Sequence, residues 1–242
     1  MKSGLEIQGI SRRFGSNQVL RNVSLVAPPG RITALIGQNG VGKTTLFRIL
    51  MGLMTPDSGS ATLGGRSILG MPIQKKAEAG LGYLPQECAS FPELTVKENL
   101  LALLELFPLE PARRKERLGE LLAMTGIEEI SDRPFRLLSA GEQRRLEIAK
   151  AFVSKPEILL LDEPFSGLDP CMVEDLAGIF RGFVSEGVGV LVTDHNVHSI
   201  LRIAGYAYLL AGGSIVCEGT PPEVLGNSEA RRLYFGREFS AQ

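Results

Sequence analysis

The sequence predicts an α/β fold built on a mostly parallel sheet, and three observations carry that expectation. Apolar runs at residues 32–36, 157–161, 188–192 and 206–210 have the length of buried strands and are separated by helix-length segments. The first run leads directly into a glycine-rich turn, GQNGVGKTT at residues 37–45, and a helix-like stretch over 43–52 follows. Residues 5–36 also contain short alternating strands broken by Gly15-Ser16-Asn17 and Pro28-Pro29-Gly30, with further strand signals around Gly64-Gly65, so an antiparallel sheet is expected beside the core.

After Gln86 the period changes. Leucines fall at three- and four-residue intervals over 96–104 and 112–124, which predicts an inserted helical lobe. The expected organisation is a single domain over 1–242. A core with its β subdomain takes 1–86 and 155–218, the helical lobe 87–154, and a tail 219–242. No tandem repeat or low-complexity segment is evident.

Composition is that of an ordinary compact domain: 242 residues, 44% hydrophobic and 22% charged. A net charge of −1 supplies no basic field for nucleic acid. The run Arg113-Arg114-Lys115-Glu116-Arg117 reads as a solvated helix face. Cys88, Cys171 and Cys217 are far apart and lack metal-ligand spacing, as expected of reduced thiols in the cytosol. Neither an apolar signal core at the N-terminus nor a stretch of ~20 apolar residues is present, so any membrane role is expected from outside the bilayer.

The segment Gly37-Gln38-Asn39-Gly40-Val41-Gly42-Lys43-Thr44-Thr45 fits the phosphate-loop pattern in its required setting, between a strand and a helix. Gly37, Gly40 and Gly42 let the backbone approach closely enough for several N–H groups to face phosphate oxygens. The helix that follows adds its positive end. Lys43 is placed to reach the β- and γ-phosphates, and the Thr44 hydroxyl is a hard oxygen ligand suited to Mg²⁺. A second acidic element closes the run Ile158-Leu159-Leu160-Leu161-Asp162-Glu163. Strand alternation assigns the two carboxylates different directions: Asp162 to Mg²⁺ and Glu163 to the attacking water as general base.

Ordered with these are Tyr83-Leu84-Pro85-Gln86, Leu138-Ser139-Ala140-Gly141-Glu142-Gln143, Ser166-Gly167-Leu168-Asp169 and Thr193-Asp194-His195. This succession resembles the ATP-binding-cassette (ABC) ATPases along nearly the whole chain. The resemblance implies a phosphate-loop hydrolase core with an antiparallel β subdomain and a helical subdomain, ATP and Mg²⁺ as cofactors, and a homodimer. In that arrangement Ser139, Ala140, Gly141 and Glu142 of one copy close over the γ-phosphate held by the other. It further implies that Gln86 contacts Mg²⁺ and the attacking water, that His195 touches the γ-phosphate, and that Asp169 lies at the subunit seam. Phe14 matches the aromatic that stacks on adenine. Family members commonly carry glycine at position 140 and tyrosine at position 14, so a methyl is added at one and a hydroxyl lost at the other.

The resemblance also implies transmembrane partners that dock around residues 86–94, with Phe91 as anchor or, alternatively, packed internally under the Pro92 turn. Residues 82–87, 193–197 and 231–239 look most like lipopolysaccharide-export ATP-binding subunits, peripheral on the cytoplasmic face of the inner membrane. Branched-chain amino acid import ATPases are the runner-up. Pro92 and Glu93 depart from the basic residues associated with export members. A cassette acting on DNA or ribosomes is a third class, but the long coiled coil or second cassette of such proteins is absent from this sequence.

Overall fold

The computed structural model describes residues 4–86 and 90–235. Its first sheet is antiparallel, formed by β1 (Leu5–Phe14), β2 (Asn17–Ala27), β4 (Ser58–Leu63) and β5 (Arg66–Ser67) in the order β2-β1-β4-β5. The second contains β3 (Ile32–Ile36), β6 (Leu81–Leu84), β7 (Ile158–Asp162), β8 (Gly189–Thr193), β9 (Tyr206–Ala211) and β10 (Ser214–Gly219), in the order β10-β9-β3-β8-β7-β6. All its pairings are parallel except β10 against β9.

Every residue of β3, β7 and β8 is buried, which explains their unbroken apolar runs. The two-residue strand period sends alternate side chains to opposite layers. Ile32, Ala34, Ile36, Leu159 and Leu161 face one core with the helical lobe. Leu35, Ile158 and Leu160 face another, shared with the antiparallel sheet and α1 (Lys43–Met51). A buried leucine in such a layer is worth about 2–5 kcal/mol against alanine, so the strand ends that carry the acidic residues are anchored from both sides.

A short helix α2 (Ile73–Glu78) precedes β6, and its fully buried Lys76 donates to Leu50 O at the carboxyl end of α1 (2.5 Å). The helical lobe consists of α3 (Val96–Leu104), α4 (Pro111–Thr125) and α5 (Ala140–Ala151). Both α3 and α5 begin with reciprocal capping boxes, Thr95 with Glu98 and Ser139 with Glu142. Returning to the core, α6 (Pro170–Ser185), α7 (Val197–Ile203), α8 (Pro221–Gly226) and α9 (Ser228–Ala230) lead to a π-helical turn over Arg231–Phe235.

Two expectations change. Arg117 is not on a solvated face: only 4% exposed, it donates to Phe152 O (2.5 Å) and Val153 O (3.4 Å) and pairs with Glu120 (2.7 Å). Its guanidinium also covers the Phe152 ring, 5.5 Å from the ring centre, within the ~6 Å reach of a cation–π contact. Glu163, in turn, does not continue β7. The strand stops at Asp162 and Glu163 takes a left-handed backbone, φ 51°, so this turn rather than strand alternation separates the two carboxylates.

Candidate nucleotide-binding and catalytic site

The phosphate loop follows β3 at the end of the sheet where β7 and β8 deliver their acidic residues. Close packing imposes two of its glycines. A Cβ on Gly37 would lie 2.4 Å from Leu210 O, and one on Gly42 would lie 2.7 Å from the Leu20 side chain, with Gly42 at φ 115° besides. Gly42 is also the N-cap of α1 and no side chain caps that end, so its first N–H groups are presented outward, as an anion requires. Gln38, Asn39 and Gly40 are exposed, whereas Val41, Thr44 and Thr45 are half-buried.

Lys43 is 5% exposed, and its Nζ donates to Gly37 O (2.7 Å) and Gln38 O (3.0 Å), which holds the ammonium in the curl of the loop. Burial pulls it below the usual lysine range, opposed by the carboxylates of Glu163, Asp162 and Asp194. Thr44 Oγ1 donates to Asp162 Oδ1 at 3.2 Å. Asp162 is fully buried, its Oδ2 has no hydrogen-bond partner, and burial raises its carboxyl to about 6. An orphaned carboxylate oxygen beside a hydroxyl is a hard-oxygen donor set, and Mg²⁺ fits it. The uncapped α1 end fits a polyphosphate by the same test.

Glu163 is anchored by its backbone: its N–H donates to Thr193 O at 2.7 Å. A non-glycine residue in this conformation costs about 1–3 kcal/mol, a strain typical of functional positions. Its Oε2 accepts from Gln86 Nε2 at 3.0 Å and lies 3.7 Å from His195 Nδ1. Thus Gln86, Glu163 and His195, which follow β6, β7 and β8, meet in one cluster. Asp194 beneath them is fully buried and accepts from Phe165 N (2.8 Å) and Asn196 N (2.9 Å), with His195 Nδ1 at 3.4 Å.

The remaining candidates lie elsewhere. Ser139, Ala140, Gly141 and Glu142 form the amino end of α5, and their bonds stay local: Glu142 accepts from Ser139 N (2.7 Å) and from Arg133 (2.9 Å). Gly141 packs on Met172, whose sulfur would be 3.0 Å from an added Cβ. Asp169 caps α6, accepting from Cys171 N (2.9 Å) and Met172 N (3.0 Å). Phe14 ends β1, exposed, with the Arg12 guanidinium 5.1 Å from its ring centre.

Phe91 resolves in favour of exposure. Its side chain is 61% exposed, while the buried Asn99 fixes its backbone through Phe91 N (2.9 Å) and Phe91 O (3.1 Å). Residues 87–89 of the expected docking stretch and 236–239 of the tail lie outside the described residues. Cys88 is among them, and Cys171 and Cys217 are free thiols.

Sequence reasoning missed several contributors. Asp194 was read only as part of a motif, though it supports both His195 and the turn after Glu163. Arg144, on α5, donates to the carbonyls of Glu163 (2.6 Å) and Pro164 (2.8 Å), and nothing distinguishes it in sequence from the neighbouring Arg145. The terminal turn also returns to the phosphate loop: Gln38 Nε2 donates to Leu233 O at 3.2 Å.

Comparison with known proteins identifies the family. The ABC transporter family matches residues 20–166. A probable ABC transporter ATP-binding protein of Azorhizobium caulinodans is 41% identical over 231 residues, 96% of this chain and 82% of that one. The lipopolysaccharide export system ATP-binding protein LptB of Haemophilus influenzae is 40% identical over 236 residues, 97% of this chain and 98% of that one. The fold superimposes with a TM-score of 0.87 on the ADP conformation of MJ1267, an ATP-binding cassette of an ABC transporter, at 25% identity over 98% of this chain and all of that one. The protein belongs to the ABC transporter family and is an ATP-binding, ATP-hydrolysing subunit of it.

Proposed function

We propose that the protein is the ATPase motor of a lipopolysaccharide exporter, working as a homodimer on transmembrane partners at the cytoplasmic face of the inner membrane. The observation that carries this reading is end-to-end similarity to the LptB protein of Haemophilus influenzae, at 40% identity across 98% of that protein. Among the described residues no helix is long and apolar enough to cross a membrane, which is consistent with coupling through partners. Phe91, exposed on a fixed backbone, is the proposed anchor for them.

In the proposed reaction, the N–H groups of residues 40–45 and Lys43 hold the phosphates, and Phe14 stacks on adenine. Thr44, Asp162 and Gln86 would hold Mg²⁺, which supplies charge neutralisation on the phosphates when bound. Glu163 accepts the proton of a water as its oxygen attacks the γ-phosphorus; the bond to the β-γ bridging oxygen breaks and ADP leaves. His195 touches the γ-phosphate. Ser139 and Gly141 of the second copy cover it from the amino end of α5, and Asp169 lies at the seam between copies.

The test is affinity capture of the Glu163→Gln protein with Mg²⁺ and ATP from solubilised membranes of its own organism. Two multispan subunits with lipopolysaccharide-bridge components support the reading. Amino acid permeases with a second ATPase would instead support import, and ribosomal or DNA-bound partners would remove the transporter reading.

A further inference from the structure

Arg144 occupies the second turn of α5, the helix that Ser139 caps. Its Nε donates to Pro164 O (2.8 Å) and one Nη to Glu163 O (2.6 Å), so a single planar guanidinium spans two consecutive carbonyls. Those carbonyls belong to the turn in which Glu163 adopts φ 51°. On the other side, the same turn is held by Glu163 N to Thr193 O (2.7 Å) and Phe165 N to Asp194 Oδ2 (2.8 Å). The backbone of residues 163–165 is therefore gripped between the end of β8 and a helix of the other lobe. Arg144 is the side chain that reaches this turn from α5.

We propose that Arg144 is a positioning residue for hydrolysis. It holds Glu163 in the left-handed conformation that directs its carboxylate to the attacking water, and it ties that direction to the placement of α5. The amino end of α5 carries Ser139 and Gly141, which engage the partner's nucleotide in the proposed dimer. Each copy's own base is thereby set by the helix that closes the other site, and closure of one site is registered at the second through Arg144. This rests on the reading of Glu163 as general base.

The experiment compares native protein, Arg144→Met, Arg144→Lys and Glu163→Gln for ATP turnover, KM and equilibrium ATP binding, with the folded fraction measured alongside. Arg144→Met is expected to lower kcat about 10- to 100-fold, the scale of a misplaced reacting group. KM and ATP affinity should stay within about twofold, because the phosphate loop is untouched. Arg144→Lys keeps a donor without the fork and is expected to recover part of the kcat at the same KM. If the methionine variant does not fold, the lysine variant decides, with native kcat overturning the proposal. A loss that falls on KM and binding, or that merely follows the folded fraction, also overturns it. So does near-native turnover in Arg144→Met when Glu163→Gln is inactive. Turnover that survives Glu163→Gln overturns the base reading and this proposal with it.

Discussion

Gln86 Nε2 donates to Glu163 Oε2 across 3.0 Å, joining the residue two places beyond β6 to the carboxylate that follows β7. The amide holds one carboxylate oxygen, and the stretch that leads to Phe91 begins at the same residue. Removing it with Gln86→Ala is expected to lower kcat roughly tenfold while ATP affinity falls less, as for a group that orients a base. Steady-state hydrolysis beside a binding titration checks this. Equal losses in both would place Gln86 in nucleotide binding instead.

Asp162 provides a pH signature. Its carboxyl, at about 6 against an ordinary 3.8, binds its proton more tightly folded than unfolded. Stability from that proton is complete below about 4 and is lost as pH rises through 6. In metal-chelating buffer, Asp162→Asn should therefore be more stable than native protein at pH 7.5, by at most roughly 3 kcal/mol, and should lose that advantage at pH 4. Thermal melts at the two values measure it. An asparagine variant that is less stable at both would contradict the account.

The same proton opposes the metal. Between pH 7.5 and pH 5, the Mg²⁺-dependent affinity of native protein for a non-hydrolysable ATP analogue should fall by about one order of magnitude per unit once below 6, with metal-free binding changing less. Calorimetric titration across the range checks it, and a flat profile would remove Asp162 from the metal site.

Glu120 gives the opposite sign. Its hydrogen bond to Arg117 lowers its carboxyl to about 2, helped by Lys155, so its contribution is present above about 4.5 and lost as pH falls through 2. Because Glu120 is partly exposed, roughly 1 kcal/mol is expected from it. Glu120→Gln should lower the melting midpoint at pH 7 and converge with native protein in acid. An unchanged midpoint at pH 7 would show that Arg117 is held by the Phe152 and Val153 carbonyls alone.

Phe91→Ala should lose capture of membrane partners with little change in melting midpoint, since an exposed side chain away from the core moves stability by only about 0.5 kcal/mol. Undiminished capture would put the docking surface elsewhere.

The phosphate loop and the acidic strand were legible because their chemistry is local: a strand, a glycine-constrained curl and a helix start lie within 14 residues, 32–45. The strands expected at 32–36 and 157–161, found at Ile32–Ile36 and Ile158–Asp162, were legible because complete burial leaves an unbroken apolar run. Arg117 was misread because its partners, Phe152 and Val153, come from the turn that ends α5, whereas the neighbouring charges suggested water. The backbone of Glu163 was hidden for a similar reason: its left-handed turn is maintained by Thr193, Asp194 and Arg144, from other elements. Arg144 and Arg145 read alike in sequence, yet the second binds Thr125 O and Asp175 instead. Helical phase separates them only once the packing is known.

The central claim is that the site is completed only between two copies, with Glu163 carrying hydrolysis. Sedimentation of the Glu163→Gln protein at saturating Mg²⁺-ATP tests it most directly. The account predicts a species of twice the chain mass that disperses when Ser139→Arg is added to the variant. A protein that binds ATP and remains a single chain would contradict it.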